Sequence, residues 1–98
     1  MRTIWKYPIG YEGEHTISIP RCLGDENEIM KFKNQVLFVG NQNEIPTIWA
    51  VVDDTAVKRD VPVLVYGTGF NCNDAALNKY LGSVTTHNGN FVWHLFVK

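Results

Sequence analysis

Strand-length runs of β-branched and aromatic residues, each stopped by Gly, Pro or Asn, follow one another along most of this chain. That punctuation constrains the fold most, because such residues suit a pleated, half-buried surface and the turn residues reverse the chain between them. Thr3-Ile-Trp-Lys-Tyr7 stops at Pro8. His15 to Ile19 alternates, with Ile17 and Ile19 on one face and Thr16 and Ser18 on the other, and ends at Pro20. Gly10 to Glu14 between them reads as a turn, which suggests a hairpin. Arg21 to Met30 is acidic and irregular, a surface loop by composition. Lys31 to Val39 resumes the strand pattern, and Gly40 to Glu44 is a turn. Thr47 to Val52 is almost continuously apolar, as expected of a central strand covered on both faces by core or a partner subunit. These two runs read as a second hairpin, joined by a loop of about six residues.

Asp53 to Asp60 is a charged connection, and Val61 to Tyr66 is another strand, with Pro62 near its start where a missing N–H is tolerable. Two readings compete for the next segment. Asn73 or Asp74 would N-cap a short helix through Leu81, ended by Gly82, with Leu77, Tyr80 and Leu81 as its apolar stripe. Alternatively Tyr80 to Thr86 is a strand, which Ser83, Val84, Thr85 and Thr86 favour. His87-Asn-Gly-Asn90 is a strong hairpin turn, since Asn-Gly takes positive φ readily. Phe91 to Val97 closes the chain as a strand that is apolar on both faces except at His94. The expectation is one mainly-β domain over residues 1–98: a small antiparallel sheet, sandwich or barrel of about six to seven strands with at most one short helix.

Composition narrows the function. A chain of 98 residues buries roughly 60–70% of its unfolded surface, enough for one core with little room for an elaborate buried active site. Nine Lys and Arg face ten Asp and Glu, and the densest basic groupings are Lys31 with Lys33 and Lys58 with Arg59. Phosphate backbones are held by clustered cations, so a general nucleic-acid binder is not expected. Met1 to Tyr11 has no apolar leader, and no stretch reaches the roughly 20 apolar residues of a membrane span, so a cytoplasmic protein without a membrane partner is expected. Cys22 and Cys72 read as reduced thiols, bridged only if the fold brings them together. His15, His87 and His94 lack metal spacing and neither cysteine has a Cys-x-x-Cys partner, so neither a metal nor a cofactor is expected.

Candidate binding residues gather after the Val61 to Tyr66 strand. Gly67-Thr68-Gly69 would point backbone N–H groups at a phosphate, although it completes neither a Walker loop nor a dinucleotide fingerprint, and a plain tight turn is the simpler reading. Trp49, Trp93 and Tyr66 would stack on a planar ring; for a tryptophan in a strand the simpler role is core packing. His94, Lys79, Arg59 and Asn71 would supply hydrogen bonds or charge, His94 being otherwise a satisfied strand histidine. Catalysis has little support. No Gly-x-Ser-x-Gly elbow is present, Asp53 and Asp54 read as a solvated loop, and nothing local activates Cys72.

Four blocks together resemble a family of small tailed-bacteriophage proteins: Thr3-Ile-Trp-Lys-Tyr-Pro8, Ile45-Pro-Thr-Ile-Trp-Ala-Val-Val-Asp53, Tyr66-Gly-Thr-Gly69 and Phe91-Val-Trp-His-Leu-Phe96. The family often has His after the second Gly of the third block, where this chain has Phe70. The resemblance implies no particular activity. It implies an accessory product made in the infected bacterial cytoplasm, of the kind that inhibits host proteins or sequesters host immune signalling molecules. The leading expectation is therefore a non-enzymatic, homo-oligomeric protein that sequesters a small phosphorylated or nucleotide-like molecule. Alternatives are a protein–protein inhibitor of a host protein, acting through a strand edge or aromatic patch with the acidic stretch Gly24 to Glu28 as charge mimic, and a small hydrolase using His94, Cys72 or Asp53.

Overall fold

The computed structural model describes residues 1–20 and 28–98, with side chains described for 1–20 and 32–98. Cys22, residues 21–27 of the expected loop and nearly all of the acidic stretch lie outside the described residues; Cys72 is exposed and unbridged.

The mainly-β expectation holds. Among the described residues, seven strands form two antiparallel sheets packed as an open sandwich: β1 Arg2–Pro8, β2 Gly13–Pro20, β3 Val36–Gln42, β4 Ile45–Asp53, β5 Lys58–Gly67, β6 Tyr80–Thr86 and β7 Phe91–Val97. The three-stranded sheet has the order β1-β4-β3 and the four-stranded sheet the order β2-β5-β7-β6. Their inner faces supply the core: Ile48, Ala50 and Val52 from β4, Val63 and Val65 from β5, Trp93, Leu95 and Val97 from β7, closed by Ile17, Ile19 and Val84. The apolar run in β4 is the central strand of its sheet, as its composition required.

Three local readings are corrected. First, β1 and β2 are not a hairpin. β1 pairs with β4 (Trp5 opposite Ala50) and β2 with β5 (Ile17 opposite Val61), in different sheets. Ile9 is buried and its N–H donates to the Pro46 carbonyl at 2.8 Å, prolonging the β1–β4 ladder before the chain crosses over. The crossing needs Gly10 at φ 129°, where a Cβ would come within 2.7 Å of the His15 ring. Second, the stretch before β3 is helical. Helix α1 spans Glu28–Gln35, taking in the last residues of the expected loop and the first of the expected strand. Phe32 and Gln35, three apart, are both buried while Asn34 is exposed, the spacing of a helix face. Third, the β3–β4 loop is two residues, Asn43 and Glu44, both at positive φ (53° and 66°), instead of six.

Of the two readings for the segment before the last hairpin, the strand is the one adopted; helix is reduced to one 3₁₀ turn, Leu77–Lys79. The expected turn forms at His87 to Asn90, with His87, Asn88 and Gly89 all at positive φ. The sandwich is nearly shut along one side, where the Asn41 side-chain amide of β3 donates to the Thr85 carbonyl of β6 at 3.1 Å.

Gln35 ties α1 to both sheets. Its side-chain amide donates to the Pro20 carbonyl and to the Val51 carbonyl, each at 3.1 Å. Gln35→Leu keeps the volume and removes both bonds, so a loss of about 1–3 kcal/mol is expected in urea unfolding, with an unchanged slope. Asp53 holds the start of the β4–β5 turn: its carboxylate accepts the Thr55 hydroxyl at 2.7 Å and the Thr55 N–H at 3.0 Å. Those two bonds, the hydroxyl first, hold the Asp53 pKa down to about 2. A depressed carboxyl stabilises the fold above its ordinary range, and that contribution disappears as the pH falls toward the folded value. Thermal unfolding in an acid pH series should therefore show a shallower acid limb for Asp53→Asn than for the parent chain; parallel limbs would exclude this contribution.

Candidate functional site

The end of β5 and the middle of β7 build one site between them. β7 lies between β5 and β6, so Tyr66 faces His94 on one side and Ser83 faces His94 on the other. Residues alternate across a strand, so all three stand on the outer face of the four-stranded sheet, opposite the core face that holds Trp93 and Leu95. His94 is held at both ring nitrogens. Nδ1 lies 2.7 Å from the Ser83 hydroxyl and Nε2 lies 2.8 Å from the Thr68 hydroxyl. The Tyr80 hydroxyl lies 2.6 Å from Ser83 Oγ, so the hydrogen-bonded chain runs Thr68–His94–Ser83–Tyr80.

Beside this chain the segment after β5 folds back and leaves a cleft of about 200 Å³, lined by Tyr66, Gly67, Thr68, Gly69, Phe70, Cys72, His94 and Phe96. Phe96 packs edge-on against Tyr66, centroids 5.8 Å apart, and tilted against Tyr80 at 5.3 Å. Burial chiefly, then the nearby Asp74, Cys72 and Glu12, raises the Tyr66 phenol above its ordinary pKa. On the other side of the same turn a groove of about 450 Å³ runs between Phe70 and the last hairpin, lined by Gly67, Thr68, Phe70, Asn90, Phe91, Val92 and Trp93. Phe91 stacks on Trp93 with centroids 5.9 Å apart, and Trp93 in turn donates its indole N–H to the Thr86 hydroxyl at 2.9 Å. Among the described residues, no Lys or Arg lines either depression.

Three N–H groups of the turn are already engaged within the fold. The Gly67 N–H donates to the Glu12 carboxylate at 3.0 Å, the Thr68 N–H to the Val92 carbonyl at 3.1 Å and the Phe70 N–H to the Gly67 carbonyl at 3.1 Å. A row of free N–H groups aimed at a phosphate is therefore not what Gly67-Thr68-Gly69 presents. Its glycine has a packing role instead: a Cβ on Gly67 would sit 3.3 Å from the Phe70 ring and 3.4 Å from the Trp93 ring.

The structure brings together Tyr66, Gly67, Thr68, Gly69 and His94, and sets Trp93 across the turn from them. Asn71 is next along the chain, but its side-chain oxygen accepts the Asn73 N–H at 2.9 Å. Lys79 ends the 3₁₀ turn and lines neither depression. Arg59 sits at the opposite end of β5, on a separate cavity of about 250 Å³ with Phe32, Val97 and Lys98. Trp49 belongs to the outer face of the other sheet, 5.5 Å from Phe38. Composition did not single out Phe70, Ser83, Tyr80, Phe91, Phe96 or Glu12. A usable signal existed for Ser83: counting back from the Asn-Gly turn pairs Thr86 with Phe91 and hence Ser83 with His94. Among the described residues, no group of His, Cys, Asp and Glu comes together to hold a metal ion, and no helix is long and apolar enough to cross a membrane.

With this geometry in place, comparison assigns the family: the model of a domain of unknown function, DUF7352, matches residues 1–98. The chain belongs to that family. No curated protein and no solved structure matches it. In this DUF7352 domain the site is assembled from a turn and a strand register, so it should respond to packing at the turn. Gly67→Ala is expected to displace the Phe70 ring while leaving the core intact. The emission of Trp93 should shift, read against Trp5 and Trp49 single-tryptophan controls, with an unfolding midpoint close to the parent; an unshifted spectrum would show that the turn tolerates the methyl.

Proposed function

We propose that this domain is a non-enzymatic binding protein that sequesters a small nucleotide-like molecule at the Gly67 to Phe70 turn. One observation carries the reading: Tyr66, Thr68 and His94 converge on a cleft that shares its wall, the turn, with an aromatic groove. The pairing of hydroxyls and an imidazole with exposed ring faces suits a ligand that has a planar ring and polar edges. Since, among the described residues, no Lys or Arg lines the depressions and the Gly67, Thr68 and Phe70 N–H groups have acceptors, recognition falls on the ring, and a phosphate group would point to solvent. A binding role is favoured over a hydrolase role because the Ser83–His94 contact is backed by the Thr68 hydroxyl and by no carboxylate. The resemblance to tailed-bacteriophage proteins supplies the setting proposed here, the cytoplasm of an infected bacterium, and makes a host immune signalling nucleotide the natural ligand.

A second reading rests on a different face. Ile4 and Phe38, 56% and 60% exposed, flank Trp49 and Val51 on the outer face of the three-stranded sheet, an apolar stripe that a host protein or a second copy of this chain would cover.

Native mass spectrometry of the gently purified protein separates the two. Mass beyond a whole number of chains, released on denaturation and lost in His94→Ala, is the expected result, together with a raised melting temperature on adding nucleotides. A protein that gains neither mass nor stability, and whose Phe38→Asp variant alone loses a host partner or its own oligomer, would move the function to the apolar stripe.

A further inference from the structure

The aromatic groove is walled by rings drawn from two separate segments of the chain. Its walls are Phe70 and Phe91, 54% and 51% exposed, and Trp93 forms the floor. Aromatic faces carry negative quadrupole potential, so rings left open around one groove attract a positive group and repel an anion. The formal charges near the groove have the same sign. The Glu12 carboxylate is fastened to the Gly67 N–H at the rim, 3.0 Å away. The Glu44 carboxylate reaches the last hairpin, where it accepts the His87 N–H and the Asn41 amide; those bonds, the His87 one first, hold it below its ordinary pKa and keep it ionised. Two imidazoles oppose when protonated: the His94 ring, whose Nε2 lies 2.8 Å from the hydroxyl of Thr68 on the groove wall, and the His87 ring, edge-on to Phe91 at 5.4 Å, whose Nδ1 lies 3.6 Å from the Glu44 carboxylate, which offsets a charge there.

We infer that the groove between Phe70 and Phe91 takes the positively charged nitrogen of a small organic cation, carried on an N-alkylated ring or on an alkylated ammonium. The inference rests on the reading of the turn as a small-molecule site and names the chemical class of its ligand. An alkylated cation suits the groove better than a primary amine, because aromatic rings line it and, among the described residues, no carboxylate does, so a weakly hydrated cation loses least on entering.

The test is a titration of the full chain, followed by tryptophan emission and by calorimetry, with adenosine, 1-methyladenosine and tetramethylammonium as separate probes. Adenosine and 1-methyladenosine share a ring and differ by one methyl and one positive charge. About tenfold tighter binding of 1-methyladenosine is expected. Phe91→Leu, an exposed substitution, should cut that preference to near parity, and Glu12→Gln should weaken it in the same direction. Equal or weaker binding of the cationic nucleoside, with adenosine still bound, would overturn the inference and leave the small-molecule site standing. Tetramethylammonium binding without either nucleoside would uphold the charge preference and remove the ring from the proposed function. Failure of all three probes would overturn the inference and the small-molecule reading together.

Discussion

The placement of β7 between β5 and β6 is the constraint on which the rest depends. Its inner residues, Trp93, Leu95 and Val97, pair across to Val84, Val65 and Val63 and form the middle of the core. Its outer residues, set by the same register, put His94 between Tyr66 and Ser83. Core and site are therefore two faces of one ladder. A slip of one residue would send His94 into the core and Leu95 to the surface, so burial of the apolar face enforces the geometry of the polar one. This explains how a domain this small holds a four-membered hydrogen-bonded chain in place without burying it deeply.

Strain collects at the turn end of the sandwich. Asn43, Glu44, His87 and Asn88 all hold positive φ, a conformation that costs a non-glycine residue of order 1 kcal/mol and that Glu adopts less readily than Asn or His. The two hairpins meet there, and Glu44 binds them together. Its N–H donates to Asn41 Oδ1 at 2.8 Å, its carboxylate accepts the His87 N–H, and its carbonyl accepts the Tyr11 hydroxyl. Tyr11 packs against Trp93 with centroids 5.3 Å apart, which connects the strained end to the groove floor. Unfavourable backbone geometry is thus offset by bonds that also fix the position of the Phe91 hairpin.

The strands were legible because runs of β-branched and aromatic residues stop at Gly, Pro or Asn, with alternation as a further signal in β2, and the last hairpin because Asn-Gly takes positive φ readily. Partner choice was not. Gly10 to Glu14 is a turn by composition, and the same composition serves a tight reversal within one sheet or a crossing between two; only the burial of Ile9 against Pro46 decides. Helix α1 was hidden for a related reason: the Val36 to Val39 run reads as strand, and extending it backwards absorbs Phe32 and Gln35, whose helical spacing includes one polar residue. The site was legible where residues are neighbours in sequence, as in Tyr66 to Gly69, and where turn counting gives register, as for His94. Trp49 and Arg59 were singled out by chemistry alone, and chemistry does not say which sheet or which end of a strand a side chain occupies.

The internal use of the turn's N–H groups bears on what kind of recognition this fold can offer. A phosphate cradle requires several backbone donors left without partners, which is tolerable at a helix N-terminus because the geometry leaves them unpaired in any case. Here no helix follows the glycines; the chain passes through extended and bent segments to the 3₁₀ turn and into β6. This β turn closes with the Phe70 N–H donating to the Gly67 carbonyl, which takes one of those donors. What the turn then exposes is side chain: Thr68 toward His94, Phe70 toward the groove. The absence of a Cβ on Gly67 serves that arrangement by letting two rings close on the backbone from the same side. The sheet register that fixes the core also places His94 and Ser83 beside this turn, so the polar hydrogen-bonded chain and the aromatic groove share one wall.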